Sequence, residues 1–107
     1  MTDLPDPHEQ RTLSASFSRE LGLTHAEFLR FLPPAIAHRP FSVTGRSVQI
    51  EDGERHVVIE LGPQQYRRIA SLKLPYVEAR FTFVGFEAAE RKTFMARFER
   101  YFQRGGG

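Results

Sequence analysis

Four histidines, His8, His25, His38 and His56, are the first candidates for metal or acid–base chemistry in this chain. No two of them have the i, i+4 spacing of a helical metal site, and the HExxH motif does not occur. The chain also has no cysteine, which excludes disulfides, thiol catalysis and cysteine-ligated metals. We therefore expect neither a metal nor another cofactor.

Carboxylates crowd one short stretch, in which Glu51, Asp52 and Glu54 surround Gly53. A pair of carboxylates performs acid–base catalysis only where a cleft raises the pKa of one of them. Here Asp52-Gly53 separates two alternating runs, which predicts a hairpin turn with solvated side chains. The motifs GxSxG, GxxxxGK[ST] and GxGxxG are absent, so the sequence argues against an enzyme without excluding one.

Glu87 and Arg91 are four residues apart near the start of a predicted C-terminal helix. The ordinary interpretation is an intrahelical ion pair at the rim of the core, worth a few tenths of a kcal/mol. The alternative is an arginine that binds an anion at the mouth of a pocket. We favour the ion pair.

Cations and a tyrosine recur between residues 56 and 80, where alternating runs predict strands. On an uncovered sheet face such residues suit single-stranded nucleic acid or a protein partner. The RNA-recognition pattern [KR]-G-[FY]-[GA]-F is absent. The residues predicted to bind on this face are His56, Arg67, Arg68, Lys73, Tyr76 and Arg80.

The overall charge is nearly balanced, with 15 Lys and Arg against 13 Asp and Glu and a net charge of +2. This excess is too small for a general attraction to nucleic acid, although the calculated pI is 9.4. No apolar run approaches the roughly 20 residues of a membrane span, so we expect no membrane partner. The first residues have neither the basic start nor the apolar stretch of a signal peptide, and we expect a cytoplasmic protein.

Two helices are predicted. Thr24 and Glu27 form a capping-box pattern at the start of the first helix. Its regular part should end near Leu32 because two prolines follow, although Pro34 can start one more turn through Ala37. The second helix should run from Glu87 to about Gln103. Aromatic residues recur on one side of it at helical spacing, and they are Phe94, Phe98, Tyr101 and Phe102.

About four strands are predicted around these helices. Residues 77–83 alternate most clearly, residues 57–61 follow the Asp52-Gly53 turn, and residues 70–74 alternate more weakly. Residues 41–50 contain two runs of opposite parity, which suggests a bulge or kink at residues 45–47. Leu13, Ala15 and Phe17 alternate with polar residues, which permits a short first strand.

These elements predict an α+β domain with the architecture of a two-layer sandwich. An antiparallel sheet packs one face against both the N-terminal and the C-terminal helix. We expect a mobile tail over residues 1–12, a single domain over 13–104 and a flexible glycine tail over 105–107.

The expected function is that of a small non-enzymatic binding or accessory domain. It would present its open sheet face or a strand edge to a protein partner, with a second copy of itself as one such partner. One alternative is a single-stranded nucleic-acid-binding domain that uses the basic and aromatic sheet face. The other is a small enzyme or ligand carrier with a pocket between the sheet and the helices.

Overall fold

The structure is a computed structural model that describes residues 14–106, which form six strands and two helices. The predicted tail over residues 1–12 lies outside the described residues. The elements in chain order are β1 Ser14–Leu21, α1 His25–Ala35, β2 Phe41–Thr44, β3 Ser47–Asp52, β4 Arg55–Leu61, β5 Gln65–Ile69, β6 Leu72–Val84 and α2 Ala88–Gly106.

All strand pairs are antiparallel, and the sheet has the order β1-β6-β4-β3-β2, with β5 paired to β6. The predicted α+β class with an open antiparallel sheet is confirmed, but there are six strands rather than about four. Every residue of β2 and of β5 is exposed. A strand that buries no side chain needs no strict apolar alternation, so such strands leave a weak signal in the sequence.

The core lies between the inner face of the sheet and the aromatic side of α2, as the phenylalanine spacing predicts. Phe98 is fully buried and meets the ring of Phe81 edge-on, with 4.9 Å between centroids. Phe94 meets Phe83 in the same way at 5.4 Å. Phe28 of α1 stacks on Phe102 at 5.2 Å, so both helices contribute to one hydrophobic cluster.

The first helix begins as predicted and ends later. The hydroxyl of Thr24 accepts a hydrogen bond from the Glu27 amide, and the Glu27 carboxylate accepts one from the Thr24 amide. The helix continues through Pro33 and Pro34 to Ala35, rather than ending near Leu32. The prolines leave two carbonyls of the preceding turn without helical donors, and the residues that carry them, Leu29 and Arg30, are exposed, so water can bind there.

The turn at Gly45 also differs from expectation. Residues 45 and 46 close a hairpin between β2 and β3, in which Thr44 is opposite Ser47, rather than forming a bulge or kink within one strand. Gly45 has a φ of 60°, a left-handed value that glycine adopts readily. The hairpin at Asp52-Gly53 is confirmed. At the other end of the chain, α2 includes Gly105 and Gly106, two residues of the predicted glycine tail.

Candidate binding surface on the hairpin arm

The strand β6 is 13 residues long and has two unlike halves. Val77–Val84 lies between β1 and β4 in the sheet. Leu72–Tyr76 pairs with β5 alone among the described residues. We call the hairpin of residues 65–76 the arm, because it extends past the ends of the neighbouring strands.

A break in pairing separates the arm from the body of the sheet. Leu61, the last residue of β4, pairs with Ala79, and Gln65, the first of β5, pairs with Tyr76. Three residues, 62–64, therefore lie opposite two residues of β6. Pro63 has no amide hydrogen to continue the ladder. The single-residue displacement is the signature of a β-bulge. As a result, odd-numbered residues point to the inner face in β4 and to the outer face in β5.

The side chain of Gln64 connects the bulge to the start of the first helix by hydrogen bonds. Its side-chain oxygen accepts a hydrogen bond from the His25 amide at 2.9 Å. Its side-chain nitrogen lies 3.2 Å from the carbonyl oxygens of both Leu23 and Tyr76. The His25 ring nitrogen Nε2 lies 2.9 Å from the Gly62 carbonyl oxygen. The base of the arm is therefore held by the start of α1, a link across about forty residues that no local sequence signal announces.

One face of the arm continues the outer face of the sheet. Arg67 lies there with its guanidinium 4.1 Å from the centroid of the Tyr76 ring, and it forms an ion pair with Glu20 of β1. Hydrogen bonds with Glu20 and Tyr76 raise the pKa of Arg67. The remaining side chains of this face are Gln65 and the apolar Ile69, Leu72 and Leu74.

The opposite face of the arm is cationic. Arg68 and Lys73 are directly opposite each other in the β5–β6 register. The ammonium of Lys73 is 4.7 Å from the centroid of the Tyr66 ring. The sequence from residue 62 to residue 77 contains no carboxylate.

The structure therefore divides the predicted binding residues. Arg67, Tyr76 and Arg80 share the outer face, whereas Arg68 and Lys73 point the other way. Placing Arg68 and Lys73 on the same face as Tyr76 was wrong. Lys73 and Tyr76 are three residues apart in one strand and so have opposite parity, and Arg68 is the cross-strand partner of Lys73. Arg80 donates to the Ser16 hydroxyl at 3.2 Å. His56 is also on the outer face, but it is half-buried at the far end of β4, opposite Glu51 and Val84.

Glu87 and Arg91 lie at the start of α2, as predicted. The guanidinium of Arg91 donates to the Phe86 carbonyl at 3.1 Å. The Glu87 amide donates to the carboxylate of Glu90, which also forms an ion pair with Arg55 at 2.6 Å. The hydrogen bond from the Glu87 amide, and then that from Arg55, lowers the pKa of Glu90. Sequence reasoning missed this pair because its members are distant in the chain.

Asp52 links the third and fourth strands to the loop after α1. Its carboxylate lies 2.8 Å from Arg55 and 3.4 Å from Arg39, so it is an ion-pair partner rather than a solvated turn residue alone. Partial desolvation tends to lower the pKa of Arg55, but hydrogen bonds to Glu90 and Asp52 outweigh it and raise that pKa. The guanidinium groups of Arg39 and Arg55 are therefore engaged in ion pairs within the protein.

Two shallow grooves flank α2. One of about 450 Å³ lies between β1 and the helix, with Phe17 and Met95 among its apolar lining. The other, of about 420 Å³, is lined by Arg39, Arg55 and Phe94. Within residues 14–106, no group of three or more histidine or acidic side chains is arranged to hold a metal ion.

Comparisons of the chain with protein-family models, with curated proteins and with solved structures found no match. Among the described residues, neither helix combines the length and apolarity needed to cross a bilayer. The arm combines exposed apolar side chains with cations on one short hairpin.

Proposed function

We propose that this protein is a non-enzymatic binding module that contacts a protein partner through the arm. The observation that supports this proposal most directly is where apolar side chains are exposed. Four of the eight large hydrophobic residues exposed in the described chain lie on the arm, and they are Tyr66, Ile69, Leu72 and Leu74. Apolar side chains clustered on a surface, rather than scattered over it, are typical of interaction sites.

These side chains do not belong to the hydrophobic core cluster. None of the arm's residues is buried, so they contribute little to the hydrophobic core. Leu72 and Ile69, at the tip, are 59% and 53% exposed. Contact with a partner would remove this apolar surface from water, which stabilises a complex by roughly 25 cal/mol per Å² before the costs of association.

The outer face of the sheet body is a weaker candidate for the interface. Its side chains are largely small or polar, and several bond to one another. Ser16 and Thr82 hydroxyls lie 3.3 Å apart, and Arg80 donates to Ser16. These observations favour the arm and its strand edge over the flat face of the sheet.

Single-stranded nucleic acid is a less favoured ligand. A base would need an open aromatic face, but the guanidinium of Arg67 covers one face of Tyr76. Arg67 is also neutralised by Glu20. The cations that would follow a phosphate backbone are divided between two faces of the arm.

The proposal is tested by affinity purification with paired variants. Ile69→Ser/Leu72→Ser removes apolar surface from the arm, and Leu29→Ser/Val84→Ser removes exposed apolar residues elsewhere. We expect a protein that is retained by the wild type and by the control variant, at equal stability, and lost by the arm variant. Equal retention by both variants would contradict the proposal.

Fluorescence anisotropy with a mixed oligonucleotide separates the nucleic-acid alternative. We expect no binding at low salt. Binding that falls steeply with added salt and is lost in Arg68→Ala/Lys73→Ala would show that nucleic acid, not protein, is the ligand of the arm.

A further inference from the structure

Arg68 and Lys73 form a cross-strand pair of like charge, and no ion pair among the described residues neutralises either side chain. They are direct neighbours in the antiparallel register, where opposite charges stabilise and like charges destabilise a sheet. Within the described residues, the side chain of Arg68 makes no hydrogen bond, ion pair or ring contact. No carboxylate occurs between residues 62 and 77, so the arm itself cannot neutralise this face. A partner that supplies carboxylates would convert this unfavourable pair into a favourable contact.

The backbone of β5, which contains Arg68, has one edge available for pairing with another strand. Among the described strands, β5 pairs only with β6, so its second edge has unpaired amide and carbonyl groups. The five residues Gln65–Ile69 include no proline to interrupt pairing. An edge of this kind accepts an extended segment by strand addition, in which main-chain hydrogen bonds provide affinity.

We propose that the free edge of β5 receives an extended segment of a protein partner in which acidic and apolar residues alternate. This inference rests on the function proposed above and adds the chemistry and the binding mode of the partner. Alternation follows from strand geometry, because successive side chains of an added strand point to opposite faces. Side chains on one face then meet Arg68 and Tyr66, and those on the other meet Ile69 and the stem of Arg67.

A second copy of this chain does not suit this edge. Antiparallel pairing of β5 with itself about its centre would place Arg67 opposite the same residue of the other copy. It would also bring both Arg68–Lys73 pairs near one another, with no carboxylate on either arm. Charge complementarity therefore favours a partner of different sequence.

The probe is a short fluorescein-labelled peptide of alternating Glu and Val. Two matched peptides accompany it, one of alternating Lys and Val and one with the Glu and Val residues of the probe grouped in two blocks. By fluorescence anisotropy we expect the alternating Glu–Val peptide to bind about tenfold tighter than either matched peptide. We also expect slower hydrogen exchange at amides of Gln65–Ile69 when it binds. Equal binding of the grouped peptide, or no change in exchange along β5, would overturn strand addition.

Charge reversal distinguishes altered recognition from a folding defect, because unfolding would abolish the peptide preference whereas reversed charge should invert it. Arg68→Glu/Lys73→Glu should invert the preference, so that the alternating Lys–Val peptide binds tighter than the Glu–Val peptide. The control Arg30→Glu/Arg100→Glu makes the same charge change at exposed sites outside the arm and should keep the wild-type preference. An unchanged preference in the arm variant, or an inverted one in the control, would overturn the assignment.

Failure of this inference can be told apart from failure of the proposed function. If the peptides show no charge preference while Ile69→Ser/Leu72→Ser still loses a captured protein, only the inference is wrong. If that variant retains the protein as the wild type does, the proposed function is wrong. Oligothymidylate that binds tighter than every peptide and depends on Arg68 and Lys73 would contradict the choice of a protein partner.

Discussion

The two halves of β6 show how one strand can serve two purposes. In the body of the sheet, Val77, Ala79, Phe81 and Phe83 are buried against the helices. In the arm, residues 72–74 of the same strand are all exposed, although two of them are leucines. Alternation alone does not bury a side chain, because burial also needs a second layer. The helices cover the body and leave the arm uncovered, so the arm's apolar side chains remain available for contact.

The largest expected contrast is between truncations in these two regions. Phe98→Ala should lower the free energy of unfolding by about 3–5 kcal/mol, because Phe98 is fully buried among other rings. Leu74→Ala in the arm should change it by less than about 0.5 kcal/mol. Urea unfolding followed by far-UV circular dichroism measures both. Similar losses for the two variants would remove the distinction between body and arm.

Next in size is the effect of detaching the arm from the first helix. Gln64→Ala removes hydrogen bonds to backbone groups at His25, Leu23 and Tyr76 and should cost about 1–2 kcal/mol. Amide exchange in the arm should accelerate more than exchange in the core. Gln49→Ala, at an exposed position of β3, is the matched control and should stay within about 0.5 kcal/mol of the wild type. An equal effect of the two substitutions would show that Gln64 does not fasten the arm.

A smaller effect is expected at Glu90, in the body. Its lowered pKa means that its stabilising contribution is complete above the ordinary glutamate pKa and is lost as the pH falls through the lowered value. Glu90→Gln should therefore be less stable than the wild type near neutral pH, and the difference should disappear in acid. Unfolding measured across this pH range tests the sign. Glu60→Gln, at an exposed position of β4, is the matched control and should leave the free energy of unfolding near neutral pH unchanged.

The smallest expected effect is at the tip of the arm. Ala70 has a φ of 57°, which strains a non-glycine residue. Ala70→Gly should stabilise the arm locally by about 0.5 kcal/mol, because the relief of strain exceeds the added freedom of the unfolded chain. Amide exchange within β5 should become slower, and the free energy of global unfolding should rise by no more than the same amount. Faster exchange in β5 would contradict the strained geometry of this turn.

Much of the body could be predicted from the sequence because its signals are local. Three such signals depend only on residues close in the chain, and the structure contains all three: the Thr24–Glu27 cap, the Asp52-Gly53 turn and the phenylalanine spacing of α2. The first strand was predicted as short and weak, and it extends from Ser14 to Leu21 beside β6. There Phe17 stacks on Phe81, a pairing set by register rather than by local pattern.

The arm was predictable only in part. Its cations and Tyr76 were recognised as candidates, but their division between two faces depends on strand parity and on the bulge at residues 62–64. The contacts of Gln64 with α1 and of Glu90 with Arg55 join distant segments. Neither contact has a periodic signature, since each depends on how the elements pack.

Native-state hydrogen exchange of the wild-type protein tests the central distinction most directly. A two-stranded hairpin without a covering layer is marginally stable in water, so amides paired between β5 and Leu72–Leu74 should open at a small fraction of the global unfolding free energy. Amides of Val57, Phe81 and Phe98 should exchange only through global unfolding. Equal protection of arm and core would contradict the account, because it would show that the arm belongs to the same cooperative unit as the core.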